Sequence, residues 1–212
     1  MTLTGRKNDM AYFFSVEEDI IHEIKIKRSR FITHLHYCDT MTAAKEYIQE
    51  ISREHKTANH NCWAYIVGKN GENTHSSDAG EPAGTAGKPM LNALKKYDVS
   101  NIVAVVTRYF GGVKLGVRGL IDAYGQAVEE AIKLKPLQKL IVLSHFMVTT
   151  TYEFFEKFKY NLNELDAEII NTDYGTDIDI TIQIEEEKAD ALQNYLEELA
   201  GKKKITYKYI ML

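Results

Sequence analysis

Pro136 sets the first boundary in this chain. It closes Lys133-Leu134-Lys135-Pro136, directly behind a long helical pattern. Its ring and missing N–H stop a helix from running on. The charge changes at the same place. Residues 1–135 carry 18 basic and 16 acidic side chains, a net of +2, whereas residues 136–212 carry 8 and 14, a net of −6. Two domains are expected, 1–135 and 136–212, and 212 residues are enough to bury a real core.

Behind the boundary the apolar period switches repeatedly. Residues 140–149 read as a strand. Residues 151–163 read as a helix, with Tyr152, Phe155, Phe158 and Leu162 near helical spacing. Residues 167–172 and 178–184 read as strands joined at Tyr174-Gly175-Thr176-Asp177. Residues 185–199 form a second helix with Ala189, Leu192, Leu196 and Leu199 on one face, and 205–210 a last strand. The order βαββαβ is the ferredoxin-like split arrangement, with both helices on one face of an antiparallel sheet.

The first part mixes the same elements less regularly, so the fold class is α+β. Strands 20–27 and 31–37 pair around Arg28-Ser29-Arg30. A helix over 42–55 turns Ala44, Tyr47, Ile48 and Ile51 inward, with Asp39 or Thr40 as N-cap. A strand at 62–67 leads to a Gly-rich loop at 70–87 with a short strand near Asn73. Pro89 suits the first turn of a short helix ending near Asp98. A buried strand at 101–109, a turn at 111–116 and a helix at 117–133 follow. That helix turns Leu120, Ile121, Tyr124, Val128, Ala131 and Ile132 inward.

Composition narrows the function classes. With 44% hydrophobic and 10% aromatic residues the chain is too apolar for intrinsic disorder. No apolar run approaches the roughly 20 residues that span a bilayer. The opening MTLTGRKNDMAYFF lacks the apolar core and cleavage site of a signal peptide. The two cysteines, Cys38 and Cys62, make no disulfide framework. A cytoplasmic protein without membrane contact is expected. A net charge of −4 argues against bulk attraction to polyanions but leaves room for a local basic surface.

Two glycine-rich segments carry the strongest chemical signal. In 76–89, SSDAGEPAGTAGKP, the glycines Gly80, Gly84 and Gly87 permit positive φ or close approach to the backbone, and successive N–H groups can cradle an anion. Lys88 stands at its end, where a helix starts. The same residues also suit a tight structural loop. It is no Walker A loop, since Pro89 replaces the Ser/Thr that would bind magnesium, and no dinucleotide fingerprint occurs anywhere. In 107–119, TRYFGGVKLGVRG, the glycines Gly111, Gly112 and Gly116 turn the chain from strand to helix beside Arg108, Lys114 and Arg118. That is a phosphate platform, or else a turn with a solvated cationic rim. Tyr109 and Phe110 could stack bases or fill the core. From Lys88 to Gly119 there are six basic residues and one acid. Engaging three or four phosphates would give a salt slope of about −2 to −4.

A third cluster joins His60 and Cys62, which share a strand face, with His75 and Asp78 nearby. A zinc site or a Cys/His nucleophile is imaginable, but the spacing fits no metal motif. No cofactor or metal is expected, and no catalytic residue is assigned. His60 is a candidate hydrogen-bonding group beside the anion. Asp78 and Glu81 are candidate loop-shaping acids, accepting backbone N–H bonds.

The segments 60–65 (HNCWAY), 76–89 and 101–127 (NIVAVVTRYFGGVKLGVRGLIDAYGQA) resemble the signature of the YigZ/IMPACT family, and KRSRFI at 27–32 resembles its N-terminal motif. The likeness covers nearly the whole chain. It implies a first domain like the second domain of a ribosomal small-subunit protein, also seen as domain IV of elongation factor G. It implies a second domain like domain V of that factor. Eukaryotic relatives act on translation, through a ribosome-associated activator of an initiation-factor kinase. Three positions depart from the family pattern: Ala79 stands in place of a second acid, Arg118-Gly119-Leu120 in place of Gly-Gly-Leu, and Asp122-Ala123-Tyr124 in place of Arg-Ala-Tyr.

The combined expectation is a noncatalytic binding protein, with RNA or the ribosome as partner, linked to regulation of translation. Lys88, Arg108, Gly111, Gly112, Lys114, Gly116, Arg118 and His60 would hold the anion. Asp78, Gly80, Glu81, Gly84 and Gly87 would shape the loops. The alternatives are an enzyme using His60, Cys62, Asp78 and Glu81 on a small phosphorylated or acidic substrate, and a regulator that contacts a translation-related protein without nucleic acid.

Overall fold

A computed structural model of the chain describes residues 12–210; most of the opening segment inspected for a signal peptide, residues 1–11, lies outside the described residues. The elements run β1 (Tyr12–Ser15), β2 (Ile20–Ile26), β3 (Ser29–Tyr37), α1 (Met41–Glu54), β4 (His60–Val67), β5 (Asn73–Ser77), α2 (Gly87–Lys96), β6 (Ile102–Tyr109) and α3 (Gly116–Lys133). They continue with β7 (Gln138–Ile141), β8 (Leu143–Thr150), α4 (Tyr152–Glu164), β9 (Glu168–Tyr174), β10 (Ile178–Glu185), α5 (Glu186–Gly201) and β11 (Ile205–Ile210). The chain forms two compact units, 1–140 and 141–212. No helix among the described residues is long and apolar enough to cross a membrane.

The first unit is built on a five-stranded antiparallel sheet of order β2-β3-β6-β4-β5. β6 lies in the middle, and Ile102 through Val106 are fully covered. That is why its sequence is a continuous apolar run, as a strand covered on both faces requires. On one face α2 and α3 pack Met90, Leu94, Leu120, Tyr124 and Val128 against Phe31, Leu35 and Val106. The Tyr124 ring meets Phe31 edge-on at 5.2 Å. On the other face α1 lays Ala44, Tyr47, Ile48 and Ile51 over Tyr65, Val67, Val103 and Val105. Thr40 caps α1, its hydroxyl accepting from the Ala43 N–H at 3.1 Å.

The second unit has the sheet order β11-β8-β10-β9, antiparallel throughout, which is the βαββαβ order expected from the period switches. Phe155, Phe158 and Leu162 of α4 and Leu192, Leu196 and Leu199 of α5 cover Phe146, Val148, Ile180 and Ile182. β9 carries one extra residue, Ile170, where the register against β10 slips between Thr181 and Ile182.

Three local expectations change. The apolar run 140–149 is two strands: β7 pairs with β1, and β8 enters the other sheet after Val142, whose carbonyl accepts the Glu186 N–H. Ile121 is only half-buried, because Ala123 and Ala127 occupy the core stripe of α3 and leave Ile121 on the rim against α2. Tyr152 is exposed, its hydroxyl donating to the Gly175 carbonyl at 2.9 Å.

His34 of β3 is 3% exposed, and neither ring nitrogen has a hydrogen-bond partner among the described residues. Burial, and then the nearby His55, push its pKa below the usual 6.5, against a smaller opposing pull from Glu54 and Asp19. The unfolded chain therefore binds the extra proton first. Folding stability is expected to fall as the pH drops below about 6.5 and to level off only beneath the depressed native value. Urea midpoints measured from pH 7.5 to 5 should fall more steeply for the native chain than for His34→Leu.

Candidate anion-binding cavity

The site begins with Asp78. Its Oδ1 accepts the N–H groups of Ala86 and Gly87, both at 2.9 Å, and its Oδ2 that of Gly84 at 2.7 Å. Burial raises the Asp78 pKa, but the three backbone donors together outweigh it and hold the carboxyl below its ordinary range. One side chain thus folds the first glycine loop around itself. Ala79 (φ 45°) and Gly80 (φ 89°) turn left-handed just after it, and the Ala79 carbonyl then faces His60, 3.0 Å from Nδ1. Gly87 has no room for a Cβ, which would lie 2.7 Å from the Ser77 nitrogen.

Glu81 continues from this loop into the interior. Its Oε1 accepts from Arg108 at 2.6 Å and from the Tyr124 hydroxyl at 2.9 Å. Glu81 is 8% exposed and Arg108 6%. This ties the first glycine loop to the end of β6 and to α3. The Arg108 guanidinium also lies 5.5 Å from the ring centroids of Phe31 and Phe110, and its Nε has no hydrogen-bond partner among the described residues.

The second glycine loop arrives from β6. Gly111 packs so tightly against the β2–β3 turn that a Cβ would sit 2.0 Å from the Arg28 carbonyl oxygen. Gly112 (φ 84°) and Gly116 (φ 75°) then bring the chain to α3. Leu115 occupies the N-cap of α3 without a side-chain bond, and the first turn holds no acid, so among the described residues no side chain caps the leading N–H groups.

The two loops meet. A cavity of about 420 Å³ is lined by His60, Glu81, Pro82 and Arg108 together with Phe110, Lys114, Leu115, Gly116, Val117 and Leu120. Not every residue read as a site residue from the sequence is there. Lys88 is exposed on the first turn of α2 and does not line it. Arg118 points to solvent and pairs with Asp122 at 3.1 Å, so the departure at 122 supplies the partner for the departure at 118. Of the six cations between Lys88 and Gly119, Arg108, Lys96 and Arg118 are paired with acids. The hollow is therefore mixed: Lys114 and an open helix end at one side, apolar walls, and a buried acid. The role of Glu81 as an internal anchor had no signal in the sequence beyond its place in the loop.

His60, Cys62, Asp78 and Glu81 do come together, but as framework. Cys62 is fully buried, its Sγ 2.9 Å from the Asp78 carbonyl and 3.4 Å from the Tyr124 hydroxyl. Burial pushes its thiol up to about 12, and Cys38 equally to about 12. Both are expected to resist alkylation in the native chain at pH 8 and to react only on unfolding. Mass spectrometry after iodoacetamide treatment checks this, and rapid labelling of Cys62 alone would contradict it. Among the described residues no three of His, Cys, Asp and Glu gather to hold a metal ion.

Comparison with known proteins agrees with this architecture. Residues 27–132 match the family model of the Impact N-terminal domain, and residues 148–201 match a domain of unknown function, DUF1949. A Bacillus subtilis protein, IMPACT family member YvyE, is 39% identical over 193 residues, covering 90% of this chain and 88% of that one. An Escherichia coli protein, IMPACT family member YigZ, is 41% identical over 152 residues, covering 71% and 74%. A crystal structure described as a hypothetical protein superposes with a TM-score of 0.68 at 32% identity, over 95% of this chain and 98% of that one.

Proposed function

Since the chain belongs to the IMPACT family, we propose that it is a noncatalytic binding protein, acting in the cytoplasm on RNA or the ribosome in the regulation of translation. The translational setting rests on the family resemblance. The binding mode rests on one observation: two glycine loops, distant in sequence, converge on a cavity at the uncapped start of α3 beside Lys114. An open helix N-terminus with an adjacent cation favours a phosphate or another anionic group. Lys114 is exposed and has no acidic partner among the described residues, so it is available to that group.

Because Arg108 is held by Glu81 and Arg118 by Asp122, few phosphates are neutralised. For single-stranded RNA the slope of log K against log salt is expected near −1 to −2. Anisotropy titrations from 50 to 300 mM salt test this. Lys114→Ala should weaken binding and flatten the slope while leaving the thermal midpoint unchanged. Binding that ignores both salt and Lys114→Ala would overturn the reading.

A further inference from the structure

Apart from the cavity of the first unit, we propose a phosphate-binding site in the second unit, where β8 gives way to α4. It does not rest on the RNA reading. The argument starts from Thr150, the last residue of β8. Thr150 continues the core face of that strand behind Phe146 and Val148 and is 2% exposed. Its Oγ1 is buried and has no hydrogen-bond partner among the described residues. A valine would fill the same space without an unmet polar group, whereas an unsatisfied buried hydroxyl is costly. The hydroxyl therefore calls for a partner from outside the chain.

Thr150 lines a cavity of about 350 Å³. Thr151, the N-cap of α4, lines it as well, and its side chain makes no cap bond. With 13 residues, α4 carries at its start the partial positive charge of a helix N-terminus. Glu153 in its first turn is exposed and is not part of the lining. The turn from α5 to β11 adds Lys203 and Lys204, both exposed and without an acidic partner among the described residues. The end of α5 is already satisfied there: the carbonyls of Glu198, Leu199 and Ala200 accept the N–H groups of Lys202, Lys204 and Lys203. Asp177 is the one acid in the lining against two cations, so the lining keeps a net positive charge. Donors thus come from three elements: a strand end, a helix start and a cationic turn. A phosphate group, with its several terminal oxygens, can accept from all three at once.

The test is a titration of the 15N-labelled full chain with inorganic phosphate, at ionic strength held constant with sodium chloride, followed by amide chemical shifts. Residues 150–153 and 203–206 should shift saturably. Thr150→Val should raise the dissociation constant on the order of 10-fold, as loss of a hydrogen bond to a charged group does. Its urea midpoint should stay level or rise, because no bond within the chain is lost. Lys203→Asn combined with Lys204→Gln is the second variant, at exposed positions where folding is not at stake. Asparagine suits the φ of 55° at 203. This pair should weaken phosphate several-fold. Dimethyl phosphate, titrated in parallel, separates the sources. Tighter inorganic phosphate assigns a free or terminal phosphate, and a tighter diester assigns a phosphodiester. No saturable shift at these residues with either probe, or unchanged affinity in Thr150→Val, would overturn the site. The RNA reading, carried by Lys114 in the first unit, would stand in that event.

Discussion

Replacing Glu81 by alanine is expected to destabilise the first unit by about 3–5 kcal/mol, the usual result of removing one partner from a buried ion pair. The carboxylate takes the Arg108 guanidinium at 2.6 Å and the Tyr124 hydroxyl at 2.9 Å. Without it a guanidinium that is 6% exposed and a fully buried phenol both lose their acceptor. Most of the loss comes from the stranded charge. Glu81→Ala combined with Arg108→Met should therefore recover a good part of it. Urea unfolding of the two single variants and the double variant measures the coupling. A Glu81→Ala midpoint equal to that of the native chain would show that the pair holds nothing.

Gly111→Ala is expected to cost several kcal/mol, more than a typical surface substitution. The backbone conformation at Gly111 is not the difficulty, since its φ is not positive. The difficulty is space: a Cβ would lie 2.0 Å from the Arg28 carbonyl oxygen and 2.1 Å from its carbon, both backbone atoms of a hairpin turn. Either the turn or the second glycine loop must move. Gly112→Ala is the control, because nothing lies within 4 Å of its Cβ position and only its positive φ is strained, costing about 1 kcal/mol. A thermal midpoint for Gly111→Ala at or above that of Gly112→Ala would contradict the packing.

Both sites bear on what could be read in advance. The glycines of the two loops were legible as special, because clusters of that residue mark turns or close approach. What approaches was not. At Gly87 and Gly111 it is the chain's own backbone, at Ser77 and Arg28, rather than a bound anion. Arg108 read as a free cation because an acid 27 positions away gives no local signal. Its partner is known only once β6 and the first loop lie together. The same holds for Ile121, whose helical spacing suits the core but whose azimuth falls just outside the stripe that α3 buries. The strand break at Val142 was hidden for a related reason: an apolar run shows that a segment is extended but not which sheet it joins.

By itself the sequence determined the element types, the α+β class and the βαββαβ order behind Pro136. These follow from periodicity, capping and turn chemistry, which act between residues a few positions apart. The tertiary structure alone decided that the two loops share one cavity, which cations beside it are paired with acids, and that Cys62 is buried. Charge pairing and desolvation depend on through-space distance between segments far apart in the chain, and no local pattern encodes that distance.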